Sequence, residues 1–183
     1  ARLADAIPEP ALSVMDKPIA DLPVLVIQLM ARRMNASLVA TTLSYRLTVT
    51  NQSSEPLSAL AVEGDMIAAH ASLPPEQQIA QPGKRLELRH AVSALAPGES
   101  VEFNGDIRLL LSAITPIRAG DAAYFIPLAR FRVEAGEQSG RPQVLARTFV
   151  VGEATGATGA GLRPFRLDLG PRTYSELNQR AVN

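Results

Sequence analysis

Two antiparallel β-sheets packed face to face are what this sequence predicts, and three observations lead there. Apolar and polar residues alternate with a period of two through several runs, as in strands with one buried and one wet face. Turn signals separate these runs at short, regular intervals, the spacing of an all-β sandwich. The pattern also lacks the amphipathic helices of a dozen or more residues that parallel strands need as crossovers.

Composition sets the frame for that reading. A chain of 183 residues suits one domain with a real core. Hydrophobic residues make up 46% and charged residues 20%, a globular balance. Aromatics are only 4% and Trp is absent, so the core must be largely aliphatic. Lys+Arg and Asp+Glu are 18 each, which removes the electrostatic reason to expect nucleic acid. All basic residues but Lys17 and Lys84 are arginine. No cysteine is present, excluding disulfides, zinc thiolates and thiol catalysis. No apolar run reaches the length of a membrane-spanning helix.

The elements follow in order. Residues 1–21 carry Pro8, Pro10 and Pro18 among small and acidic residues and read as an extended leader. The main β region spans 22–151. Leu22 to Met30 is a strand apolar on both faces. Val39, Thr41, Leu43, Tyr45, Leu47 and Val49 share one face of the next strand, with Thr42, Ser44, Arg46, Thr48 and Thr50 on the other. Asn51 to Pro56 is a turn of residues that bond their own backbone. Leu57 to Val62 is a short strand ended by Gly64-Asp65. Within residues 66–83, Ile67 to Leu73 allow a strand or a short helical turn, Pro74-Pro75 breaks any helix, and Gln81-Pro82-Gly83 is a turn signal. Leu86, Leu88 and Val92 mark another strand. After the Leu95–Ser100 turn comes a long one, with Val101, Phe103, Gly105, Ile107, Leu109 and Leu111 on one face. Tyr124, Ile126 and Leu128 begin a strand whose phase switches at Ala129, Phe131 and Val133, which predicts a bulge or kink beside Pro127. Ala135 to Pro142 is a hairpin loop, and Val144 to Val151 closes a set of seven to eight strands.

Two stretches carry a resemblance. Tyr45–Asn51 followed by Leu57–Val62 resembles a strand-turn-strand region of bacterial immunoglobulin-like repeats, and Leu95–Phe103 resembles their turn into the next strand. The resemblance covers roughly residues 22–151 and implies an immunoglobulin-like antiparallel β-sandwich used for adhesion, scaffolding or contact with protein or carbohydrate at a bacterial envelope. The whole chain is also similar to alphaproteobacterial proteins in which a sandwich follows an N-terminal membrane anchor. That likeness, with the Pro-containing leader, implies a periplasmic or membrane-tethered location; a cytoplasmic one fits the other observations.

Beyond the sandwich, Gly152 to Gly161 reads as a flexible connector. No Lys follows its last glycine, so it does not carry a phosphate loop. Residues 162–183 then add an extra strand-like segment. Phe165, Leu167 and Leu169 alternate with Arg166 and Asp168, and Arg163 and Arg172 flank them. Three arrangements suit this tail: an edge strand on its own sandwich, strand exchange with a second copy or partner, or a tail ordered on binding. Phe165, Leu167, Leu169, Arg163, Arg166 and Arg172 are therefore the candidate partner-contact residues. Tyr174 to Val182 is expected to form a short helix capped by Thr173 or Ser175.

Reaction chemistry finds little support. His70 and His90 lie on different elements, and no spacing joins them to Glu63 or Asp65 as a metal site. There is no G-x-S-x-G elbow for Ser100 or Ser112 to occupy. Glu102 and Asp106 read as outward residues of one strand. Gly64-Asp65 and Gly120-Asp121 lack the clustered carboxylates of a calcium loop. The expected protein is non-catalytic, without cofactor or metal. It would contact protein partners, or another copy of itself, through sheet edges or the loops 51–56, 66–83 and 135–142, and meet a membrane only through an anchor outside these residues, since no amphipathic basic helix is present. The alternative is a carbohydrate- or small-ligand-binding sandwich, which needs an aromatic-lined concave face.

Overall fold

The structure, a computed structural model, describes residues 23–137 and 141–183. The leader expected at 1–21 and the tip of the 135–142 loop lie outside the described residues. In chain order the strands are β1 (Leu25–Ala36), β2 (Ala40–Asn51), β3 (Leu57–Ala68), β4 (Leu88–Leu95), β5 (Ser100–Leu110), β6 (Ile117–Ala119) and β7 (Ala122–Phe125). They continue with β8 (Pro127–Glu137), β9 (Gln143–Thr155), β10 (Gly161–Arg163), β11 (Phe165–Arg166), β12 (Arg172–Tyr174) and β13 (Leu177–Ala181). A helical turn, α1 (Pro75–Gln78), lies in the loop between β3 and β4, and a 3₁₀ turn at Leu111–Ala113 follows β5. One sheet runs β12-β1-β2-β5, a second runs β10-β9-β8-β3-β4 with β13 also on β9, and a small third runs β11-β7-β6. Every pairing is antiparallel. The protein is thus nearly all β. Among the described residues it has more strands than the seven to eight expected, because short strands and the tail pair as well.

The two larger sheets face each other across one core. Leu43, Tyr45, Leu47 and Val49 of β2 meet Leu60 and Val62 of β3 and Phe131 and Val133 of β8 in it. Each fully buried aliphatic or aromatic side chain contributes about 1.5–3 kcal/mol relative to exposure. Rings articulate the centre: Phe131 lies 5.3 Å from Tyr45 and 6.4 Å from Phe149, both edge-on.

Several boundaries differ from the periodicity, each for a local reason. β1 runs on to Ala36 because its register shifts between Ala31 and Arg33. The extra residue resets the phase, so Met34 and Ala36 are buried as well. β3 continues past Gly64-Asp65. A Cβ on Gly64 would stand 2.9 Å from Phe131 Cδ1, so this glycine admits the Phe131 ring rather than ending the strand. The phase switch beside Pro127 is a change of sheet: β7 belongs to the small sheet, Ile126 lies between the two with its carbonyl accepting from the Ala69 N–H at 2.9 Å, and β8 belongs to the second. The connector expected at 152–161 is instead the end of β9, a turn and the start of β10. The helix expected at Tyr174–Val182 is a correction too, since that stretch forms β12 and β13. Its residues gain sheet partners there, and tertiary pairing overrides a weak local helical signal.

Candidate interaction surface

The tail closes one side of the molecule. β12 pairs with the end of β1, Met34 opposite Tyr174 and Ala36 opposite Arg172. β13 pairs with β9 from Phe149 to Glu153. Val150 pairs with both Leu128 and Arg180, so β13 lies on the edge of β9 away from β8. Ala154 N–H donates to the Glu176 carbonyl at 2.8 Å, and Ala31 N–H donates to Gln179 Oε1 at 2.9 Å beside the β1 bulge. The last residues thus cross from one sheet to the other and satisfy edge groups on both, which blunts a template for aggregation.

The six candidate contact residues divide by burial. Phe165 is fully buried, with Phe125 at 5.7 Å and Tyr174 at 5.0 Å. Leu167 packs partly buried on the core, and its N–H donates to the Ala123 carbonyl. Leu169 is exposed. Arg163 reaches Glu153 at 3.1 Å. Arg166 forks onto Asp168 at 2.8 and 2.5 Å and lies 5.4 Å over the Tyr124 ring. The Arg166 hydrogen bond, joined by the Ala123 N–H, holds the Asp168 carboxyl well below the usual carboxylate range. Arg172 lies 5.7 Å over the Tyr174 ring. The alternation therefore packs the segment onto its own chain and leaves Leu169 and the arginine heads outward.

A second feature had no sequence signal. The 69–87 loop lies over the outer face of the second sheet, held by buried charges. Glu63 accepts from Arg132 at 3.1 Å, Arg85 at 3.1 Å and the Leu86 N–H at 2.8 Å. Arg132 also donates to the Pro82 carbonyl and to Glu134, and Arg130 donates to Asp65 and to the Gln77 carbonyl. Glu63, Arg130 and Arg132 are all buried. The hydrogen bond from Arg132 lowers the Glu134 pKa. These carboxylates and guanidiniums spend their bonding capacity on one another and on loop carbonyls, so the network pins a loop. Glu63 and Asp65 were legible only as loop residues because the extension of β3 could not be foreseen.

His90 is the third. Its Nε2 lies 2.7 Å from Tyr45 Oη, and its ring stacks on Phe103 at 4.8 Å. Burial, then the neighbouring Arg89 charge, lowers the His90 pKa. Burial pushes the Tyr45 phenol up to about 12. The geometry is that of a neutral imidazole and a neutral phenol sharing one hydrogen bond across the two sheets. Gly105 leaves room for it, since a Cβ there would be 2.6 Å from Tyr45 Oη and 3.0 Å from His90 Nε2. His70 is far from this pair in the fold's order, bonded to Ser72 within its own loop. Among the described residues, no group of three or more His, Cys, Asp or Glu could hold a metal, and no helix is long and apolar enough to cross a membrane.

Concave space is shallow. An open cleft of about 530 Å³ on the first sheet is lined by Arg32, Arg33, Ser44, Asn104, Asp106 and Ser175, with Tyr45 and Gly105 at its floor. The edges are more distinctive. Among the described residues, β4 pairs only with β3, and β5 only with β2. The side opposite the tail is therefore open on both sheets.

No family model matches the chain, and no curated protein does either. Among solved structures the chain is similar to the ApaA protein from Bordetella pertussis, at 13% identity and a TM-score of 0.40, over 84% of this chain and 96% of that one. On its own strands and pairings, this is a nearly all-β protein of several antiparallel sheets.

Proposed function

We propose that the chain is a non-catalytic protein-interaction or structural module with an immunoglobulin-like sandwich, working at a bacterial envelope or tethered to a membrane. The strand order supports the fold reading. Having β1-β2-β5 in one antiparallel sheet and β4-β3-β8-β9 in the other fits two packed sheets of the kind such sandwiches use. One observation carries the functional reading: among the described residues the tail covers Met34–Ala36 of β1 and Phe149–Glu153 of β9, whereas no strand is added to the β4 and β5 edges. An open edge offers unpaired backbone groups to an added strand or an abutting surface. The envelope location rests on the resemblance of the Tyr45–Asn51 and Leu95–Phe103 turns. Photo-crosslinkers placed at Ser93 of β4 and Asn104 of β5 test the reading in cells expressing the full chain. A discrete protein adduct from these positions, and none from Arg180 on the sealed side, is expected. No adduct from either open-edge position refutes it.

Binding of a carbohydrate or small ligand is the alternative, and the open cleft on the first sheet favours it. Its aromatic residue, Tyr45, is only 1% exposed, so the stacking platform that sugars use is missing. A glycan array read with wild type and Asp106→Ala decides it: binding lost in the variant supports this alternative.

A further inference from the structure

The tip between β1 and β2 breaks the usual chemistry of turns. Tight turns favour Gly, Asn, Asp and Ser, yet this one displays Leu38 and Val39, 80% and 60% exposed. The display is built rather than loose. Ser37 Oγ accepts from the Val39 and Ala40 N–H groups and donates to the Ala40 carbonyl. Val39 continues the inward phase of β2, but it stands past the end of the core. A third aliphatic residue joins the pair: Leu110 is 45% exposed, lies opposite Ala40 on β5, and precedes Leu111, whose N–H donates to the Val39 carbonyl at 2.9 Å. Clustered exposed aliphatics of this kind mark interaction sites, whereas single ones do not.

The charges nearest the tip are basic, and the acidic residue of β5 nearest to it, Asp106, accepts a hydrogen bond from Ser44 Oγ at 2.6 Å. Arg108 lies two residues before Leu110 on the same face of β5, and Arg172 lies opposite Ala36, next to Ser37. Both are exposed, and neither is among the ion-paired residues, whereas Arg85, Arg89, Arg130, Arg132, Arg163 and Arg166 all are. The segments that meet here, 35–42, 107–118 and 171–175, contain no Asp or Glu.

From the convex aliphatic tip and its unpaired guanidiniums we infer that this end of the molecule docks on an anionic lipid bilayer. Leu38, Val39 and Leu110 would enter the interface while Arg108 and Arg172 meet lipid phosphates. A protruding tip suits a deformable surface, and the basic charge nearest it suits acidic headgroups. The tip takes in only the last residues of β5, Arg108 and Leu110, and its test reads lipid rather than protein, so failure to bind vesicles leaves the crosslinking result at Ser93 and Asn104 standing.

The test uses the full chain and vesicles of phosphatidylethanolamine with or without phosphatidylglycerol. Because the protein has no Trp, Leu38→Trp places a single tryptophan at the tip. A blue-shifted emission, quenched by brominated lipid only when phosphatidylglycerol is present and weakened by salt, is expected. Leu38→Ser with Val39→Ser should lower vesicle affinity at least about ten-fold, and Arg108→Gln with Arg172→Gln should lower it about as much at low salt. These exposed sites leave the fold intact, which circular dichroism verifies. Failure to bind acidic vesicles overturns the inference, as does equal binding by the serine variant. A Leu38→Trp shift produced by protein and not by vesicles also overturns it and points to a protein partner.

Discussion

Replacing Phe165 with alanine removes the most deeply buried aromatic side chain that anchors the tail segment inside the molecule. The ring is fully buried between Phe125 at 5.7 Å and Tyr174 at 5.0 Å. Taking about 200 Å² of apolar surface at about 25 cal/mol per Å² gives an upper figure of roughly 5 kcal/mol. Measured losses for Phe to Ala in cores run about 3–5 kcal/mol, so that range is expected here. It is a large share of a domain stability of about 5–15 kcal/mol. Urea unfolding followed by circular dichroism measures it, with Leu169→Ala as the control. Leu169 belongs to the same alternation but is exposed, so its loss should stay within about 0.5 kcal/mol. Amide exchange should also quicken in β12 and β13, which the anchored segment feeds. If Phe165→Ala costs less than about 1 kcal/mol, or no more than Leu169→Ala, the segment is not docked as described. A wild-type midpoint that rises with protein concentration would show that the segment is exchanged between chains.

Three further outcomes follow from the other clusters. Gly105→Ala should lose about 1–3 kcal/mol by overpacking, because its Cβ would meet Tyr45 Oη at 2.6 Å; a thermodynamic cycle with Tyr45→Phe should prove non-additive, and additivity would refute the shared site. Glu63→Ala leaves the Leu86 N–H without its acceptor and strips Arg132 of one of its two carboxylate partners, and a loss of about 1–3 kcal/mol is expected, read from the unfolding midpoint. Stability should also fall with pH in two steps. The folded His90 pKa is lowered from 6.5, so its unfolded form takes the proton first, and its contribution, complete above that value, is lost as the pH drops below it. Glu134 and Asp168 are likewise lowered, from 4.5 and 3.8, and their contributions are lost together at more acid pH; His90→Gln should abolish only the upper step.

Much of the fold was legible because a strand's side chains alternate whatever its partners are. Leu43, Tyr45, Leu47 and Val49 could be assigned to the core from spacing alone. The Leu95–Ser100 turn was equally clear, since its proline and glycine act locally. The misreadings share a cause. The bulge beside Arg32, the continuation of β3 through Gly64 and the sheet change at Ile126 each alter phase or extent through contacts with residues distant in sequence. The tail misled for the same reason: Leu177 to Ala181 has no strong local strand signal and becomes a strand because β9 has an unpaired edge.

Function was less legible than fold. The sequence alone determined an aliphatic core, the absence of thiol chemistry and strands with one polar face, because these depend on composition and on a period of two. It could also mark Phe165, Leu167 and Leu169 as a half-buried strand, but not what would bury them. Only the tertiary structure decided that Phe165 turns inward, that Glu63, Arg130 and Arg132 share a buried network, that Tyr45 meets His90, and that Leu38, Val39 and Leu110 converge on one tip. Each depends on register between strands tens of residues apart. Register is set by which faces and edges find partners in space, a long-range competition that no local window of sequence contains.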